Sequence, residues 1–165
     1  MDLRSISKEA LVADALAQLK QDLLAMTQQA RATAEGATHE ESRPENSKGT
    51  RGLEASYLAR GQAARVNQLE TELQRLQHMP LEVFGDDDVI SASALVELCT
   101  LEGERVTLFL VTGGGGISVG VGDVVVQLVS PQAPLGRAVL GRELSDEVTL
   151  RVGARSLHYE ILAIG

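Results

Sequence analysis

The chain has 165 residues, 44% apolar and 23% charged, enough for one ordinary folded domain or two small ones. Aromatics make up only 2% (Tyr57, Phe84, Phe109 and Tyr159), which excludes an aromatic ligand cage and a base-stacking surface for single-stranded nucleic acid. The net charge of −8 is uneven: residues 1–80 hold ten Lys/Arg against eleven Asp/Glu, and residues 81–165 hold five against twelve. The acidic second half repels phosphate backbones, which disfavours direct DNA binding and favours a basic protein partner.

Cys99 is the single cysteine, so no internal disulfide forms and a reducing compartment is expected. No apolar run reaches the length of a membrane span, and the opening MDLRSISKEA lacks an apolar signal core. These features predict a cytoplasmic protein without membrane contact.

The first helix is predicted to start near Ser7, an N-cap with Glu9 in the first turn. Val12, Leu16, Leu19, Leu23, Met26 and Ala30 then recur at steps of four and three, forming an a/d seam. No Gly or Pro interrupts before Gly36, giving a helix of about 28 residues, roughly 42 Å long. The stretch GATHEESRPENSKGTRG, residues 36–52, carries Gly36, Gly49, Gly52 and Pro44 and has no apolar period. A second helix is predicted from about Thr50 to Gln77, with Ala55, Ala59, Gln62, Val66, Leu69, Leu73 and Leu76 on its seam. Pro80 ends it. Two arms of matching length around a polar break predict an antiparallel coiled-coil hairpin over residues 1–80, with its tip at about 36–52.

Residues 80–88, PLEVFGDDD, read as a linker. Beyond it the composition turns to Val, Leu and Thr. Strands are predicted over 89–101 and 105–111, joined by a turn at Glu102-Gly103, and over 124–130, 147–152 and 156–164. Residues 112–123 read as a Gly-rich loop or weak strand. Residues 134–141 predict a short helix ended by Gly141. Five strands and one helix make residues 81–165 a small α+β domain.

The stretch APLGRAVLGRELSDEV, residues 133–148, resembles the signature of the Gre transcription-factor family: Ser-Pro, a short apolar helix ending in Leu-Gly-Lys/Arg, then Gly-Asp-x-Val. The matching residues are Ala133-Pro134, Leu140-Gly141-Arg142 and Asp146-Glu147-Val148, with Ala133 in place of the Ser and Ser145 in place of the Gly before the Asp. The closing SLHYEILAIG is similar to the family's last strand, and the preceding GARS to its turn. The resemblance covers about 81–165 and implies an FKBP-like fold behind a coiled-coil hairpin. It also implies binding to bacterial RNA polymerase at its secondary channel and regulation of elongation. In such factors the hairpin's tip acids help hold a Mg²⁺ shared with the polymerase, whose own RNA cleavage they stimulate. The protein is thus expected to be no enzyme itself, to have no intrinsic cofactor, to meet nucleic acid only within the elongation complex, and to be a monomer.

The family's tip reads roughly Asp-x-x-Glu-Asn-Ala-Glu-Tyr, and this one departs from it. Matching Glu45-Asn46 to the family's Glu-Asn puts Ser42 at the Asp, Lys48 at the later Glu and Gly49 at the Tyr. Matching the second helices through Arg65-Val66 and Leu69-Glu70 puts the acid pair on Glu45 and Lys48. Glu40, Glu41 and Glu45 share the tip with Arg43, Lys48 and Arg51. A hard cation wants clustered carboxylates with few competing cations, so the mixed charge predicts a channel-binding regulator without efficient cleavage. The alternative is a true cleavage factor in which Glu41 and Glu45 fold together around Mg²⁺. A coiled-coil adaptor unrelated to polymerase is the reading from another class. Expected partner contacts are Glu40, Glu41, Glu45 and Asn46 at the tip and Pro134, Leu135, Arg137 and Asp146 around the short helix. For Leu135, plain core packing is the competing reading.

Other motifs lead nowhere. The glycines at 113–116 are followed by Ile117-Ser118-Val119 rather than the Lys-Ser/Thr and helix of a phosphate loop. His39, His78 and His158 lack zinc-ligand spacing with Cys99. Prolyl isomerase activity is suggested only by fold analogy.

Overall fold

The computed structural model describes residues 2–41 and 50–165, with the side chains of 37–41 and 50–52 left aside. A 3-10 turn, Leu3–Ser5, precedes two long helices, α1 (Lys8–Glu41) and α2 (Thr50–Gln77). Six strands and one short helix follow: β1 (Leu95–Thr100), β2 (Arg105–Leu110), β3 (Ser118–Val121), β4 (Val124–Val129), α3 (Pro134–Val139), β5 (Glu147–Val152) and β6 (Arg155–Ile164). This is the α+β class expected: a helical hairpin, then a small sheet domain. The chain divides into two compact units, Met1–Leu16 with Gln74–Gly165, and Ala17–Leu73.

The second unit is built on the predicted seam. Leu19, Leu69 and Leu73 are buried, and Leu23, Met26, Ala30, Ala55, Ala59, Gln62 and Val66 are half-buried among exposed neighbours. The polar seam residue has a cost, because among the described residues the Gln62 Oε1 is buried without a hydrogen-bond partner. The helix passes Gly36 and runs 34 residues to Glu41, longer than the sequence reading gave. A single glycine costs only about 1 kcal/mol in a helix relative to alanine, too little to stop a helix held by its seam.

In the first unit, Ser7 caps α1 as expected: its hydroxyl accepts the Ala10 N–H at 3.1 Å. The Lys8 ammonium donates to the Glu82 carbonyl at 2.6 Å and stands 4.7 Å from the centre of the Phe84 ring. Burial pushes the Lys8 pKa down to about 8, against the upward pull of Glu82 and Glu9. The linker is also held by Ser93, fully buried, whose hydroxyl accepts the Glu82 N–H at 2.9 Å.

The strands form one sheet in the order β3-β4-β2-β1-β6-β5, antiparallel except where β2 meets β4. Two expectations need correction. The first strand begins at Leu95 rather than 89, because Ser93 adopts a φ of 70° and bends the chain before the ladder starts. The Gly-rich stretch supplies a sixth strand, β3, which is held by pairing along β4 from Ser118↔Gln127 to Val121↔Val124. The turn at Glu102-Gly103 is present, with Gly103 at φ 85°. One core cluster joins Phe84, Ile90, Val96, Leu98, Leu108, Leu110, Val139, Val148 and Ile161, so α3 and β5 are both anchored on the same apolar layer.

Candidate functional site

The short helix α3 is placed by its backbone. Ala133 stands at its N-cap without a side-chain cap bond, and Pro134 opens the first turn, where its missing N–H costs nothing. The Ser130 carbonyl accepts the Ala133 N–H at 2.9 Å and lies so close under the helix that only glycine fits at 136. A Cβ on Gly136 would stand 2.1 Å from that carbonyl oxygen. Gly141 leaves the helix at φ 76°, and its N–H donates to Ile90 at 2.8 Å, while Ile90 donates to Arg142 at 2.8 Å. Ser145 then takes φ 68°, a left-handed conformation that glycine adopts more readily. A serine here thus holds a backbone conformation in which glycine would be unstrained. The Ser145 N–H donates to Ile161 at 2.9 Å, and Ile161 donates to Asp146 at 3.0 Å, tying the motif to β6.

Beside α3 lies an open apolar groove of about 580 Å³. Its wall includes Ile117, Leu128, Val129, Pro134, Leu135, Leu150 and Val152, and no charged residue lines it. Pro134 is exposed on this wall, and Leu135 both lines the groove and packs on the core cluster. Arg137 and Asp146 are not on the wall. The Arg137 Nε folds back to donate to the Gln132 carbonyl at 2.8 Å, and the Asp146 carboxylate accepts the Glu143 N–H at 3.0 Å. Leu150 and Val152, which sequence reasoning did not connect with the helix, reach the groove because β5 packs on α3. Val152 is 56% exposed, an apolar side chain free to meet a partner.

Glu40 and Glu41 occupy the last two positions of α1, and Glu45 and Asn46 lie outside the described residues. Among the described residues, no group of three or more His, Cys, Asp or Glu could hold a metal ion. A second cavity, of about 320 Å³, gathers Cys99, His158, Glu147 and Glu160. Its thiol and imidazole bond elsewhere: the Cys99 Sγ donates to Thr100 at 3.4 Å, and the His158 Nδ1 pairs with the Thr149 hydroxyl at 3.1 Å. No nucleophile–base pair is assembled there. Among the described residues, no helix is long and apolar enough to cross a membrane.

Residues 85–165 match the family model described as transcription elongation factor, GreA/GreB, C-terminal. Transcription elongation factor GreA of Ruthia magnifica is 23% identical over 100 residues, 61% of this chain and 60% of that protein. The GreA of Alkaliphilus oremlandii is 28% identical over 100 residues, 61% of this chain and 59% of that protein. The match thus spans about 60% of the length of these curated relatives. Among solved structures, Gfh1 of Thermus thermophilus aligns with 91% of this chain and 94% of its own, at 20% identity and a TM-score of 0.39.

Proposed function

We propose, from the premise that the chain belongs to the GreA/GreB elongation-factor family through residues 85–165, that it binds bacterial RNA polymerase at the secondary channel and modulates elongation without efficient transcript cleavage. The family match carries the polymerase partner. The groove beside α3 is the docking surface, with Pro134, Leu135, Leu150 and Val152 as its apolar contacts. In this reading the functional division falls near residue 80, and the hairpin is the element that enters the channel.

The absence of cleavage rests on tip charge. Three carboxylates, Glu40, Glu41 and Glu45, share the tip with Arg43, Lys48 and Arg51. A cation that must bridge protein and polymerase is weakened by each neighbouring positive charge. The hairpin would then occupy the channel and slow the enzyme rather than activate a water.

Binding of the purified chain to core polymerase tests the docking half. Leu135 supports the core as well as the wall, so Val152→Glu is the cleaner variant: it charges an exposed groove residue without opening the core. The proposal expects wild-type binding and at least a tenfold loss for Val152→Glu, about 1.4 kcal/mol. Equal affinity of the two proteins would remove the groove from the interface.

A further inference from the structure

The sheet has two edge strands, β3 and β5. β5 pairs with β6 on one side only, setting Val148 against Tyr159, Leu150 against Leu157 and Val152 against Arg155. The Ile161 N–H donates to the Asp146 carbonyl at 3.0 Å. Backbone groups alternate sides along an antiparallel strand, so this bond sets the phase of the whole strand. Val148, Leu150 and Val152 turn their N–H and C=O groups to β6. Glu147, Thr149 and Arg151 turn theirs outward, and all three residues are exposed.

Such an open row is a template for another strand, and many edges are blunted by charge. This edge is instead complementary to itself. Laid antiparallel about Thr149, Glu147 meets Arg151 of a second copy, Val148 meets Leu150, and Thr149 meets Thr149. Opposite charges directly across a strand pair are favourable, as are paired threonines. The same register pairs all the outward backbone groups with one another. A shift of two residues either way leaves an outward residue of each copy unpaired and moves Glu147 onto Thr149 or Gly153. A shift of one sets outward-facing groups against inward-facing ones. Charge and backbone phase therefore select one register independently.

Neither Glu147 nor Arg151 forms an ion pair among the described residues, so both charges are available. Val148 belongs to the core cluster and Leu150 to the groove wall, so the pairing also brings the apolar faces of two sheets edge to edge.

We infer that two copies of this chain associate through β5 as a two-fold dimer, making one continuous sheet, in contrast to the monomer expected from sequence. The interface is isologous, each copy giving the same strand. One short strand per copy buries less than the roughly 1,200 Å² of a standard interface, so the dimer is weak and forms at high concentration.

Sedimentation equilibrium of the full chain, from about 10 µM to about 1 mM, reads it directly. The wild type should rise from 17.6 kDa toward twice that mass. Glu147→Arg sets Arg against Arg at both ends and should weaken association at least tenfold. The swap Glu147→Arg with Arg151→Glu restores both pairs and should return the constant to within about threefold of wild type. Thr149→Pro removes the outward N–H on the two-fold axis, a place where an edge strand tolerates proline, and should leave a folded monomer. A wild type that stays at 17.6 kDa throughout overturns the inference. So does a dimer indifferent to Glu147→Arg, or one that the charge swap fails to restore.

Discussion

Gly136→Ala is the sharpest test of how α3 is held. The new Cβ would lie 2.1 Å from the Ser130 carbonyl oxygen, 2.9 Å from its carbon and 3.1 Å from the Pro131 Cα. Unbonded heavy atoms rest at about 3.5 Å, so helix and loop must part by more than 1 Å. All three atoms are backbone, and no side chain can swing aside. Overpacking of this kind costs about 1–3 kcal/mol and sometimes more, while alanine returns up to about 1 kcal/mol of helix propensity. Gly136 is buried and α3 packs on the core, so the upper end of the cost applies and a net loss of about 2 kcal/mol is expected. At about 2–4 °C per kcal/mol for a chain of this size, the melting temperature should fall by roughly 4–8 °C. Thermal unfolding followed by circular dichroism measures it. The same movement displaces Pro134 and Leu135 from the groove wall, so polymerase affinity should drop with stability. A variant that melts at or above the wild-type temperature would refute the close approach on which the α3 geometry rests.

Three further outcomes follow from other parts of the fold. Gln62→Leu should stabilise the hairpin by about 1 kcal/mol, since it replaces a buried unpaired carbonyl with an apolar seam residue; a lower denaturation midpoint would show that the amide is satisfied in solution. Ser93→Ala should cost roughly 1–2 kcal/mol by stripping the Glu82 N–H of its acceptor, and Ser93→Gly should cost less because glycine tolerates the φ of 70°; equal losses would contradict the backbone term. Lys8 has a folded pKa of about 8 against an ordinary 10.5, so the unfolded chain binds more protons between those values and stability should rise with pH across that window. In Lys8→Met that slope should be smaller, and identical slopes in urea titrations at pH 8 and pH 10 would remove Lys8 as its source.

The hairpin was legible in the sequence because one periodic signal specifies it. From Leu19 to Ala30 and from Ala55 to Leu76 the seam residues are buried or half-buried, but in the first turns of α1 the fully buried positions are Leu11 and Ala15, with the predicted Val12 and Leu16 only half-buried. The end of α1 was not legible, because Gly36 is exposed with open space around it and only local propensity bears on it. In the sheet, β2 and β4 stood out by Val and Leu content, but β3 is four residues with one buried side chain, Val119, and exists through its pairing with β4. The apolar run from 89 to 101 hid the bend at Ser93, since composition does not report a positive φ.

The groove beside α3 was half legible. Pro134 and Leu135 came forward through the motif that surrounds them. Ile117, Leu150 and Val152 join them only once the sheet order is known, and β5 lies at the edge opposite β3 and β4 in that sheet. Arg137 and Asp146 came forward through the same motif, yet their side chains bond to nearby backbone in the same segment.

The most direct test is transcript cleavage on a stalled, backtracked elongation complex at fixed Mg²⁺, with the chain alone and in competition with a known cleavage factor. The account predicts no shortening of the RNA 3′ end by the chain alone and a concentration-dependent block of the competitor's cleavage. Shortened 3′ ends that vanish in the Glu41→Ala/Glu45→Ala variant would contradict it and assign the tip carboxylates to metal-assisted chemistry.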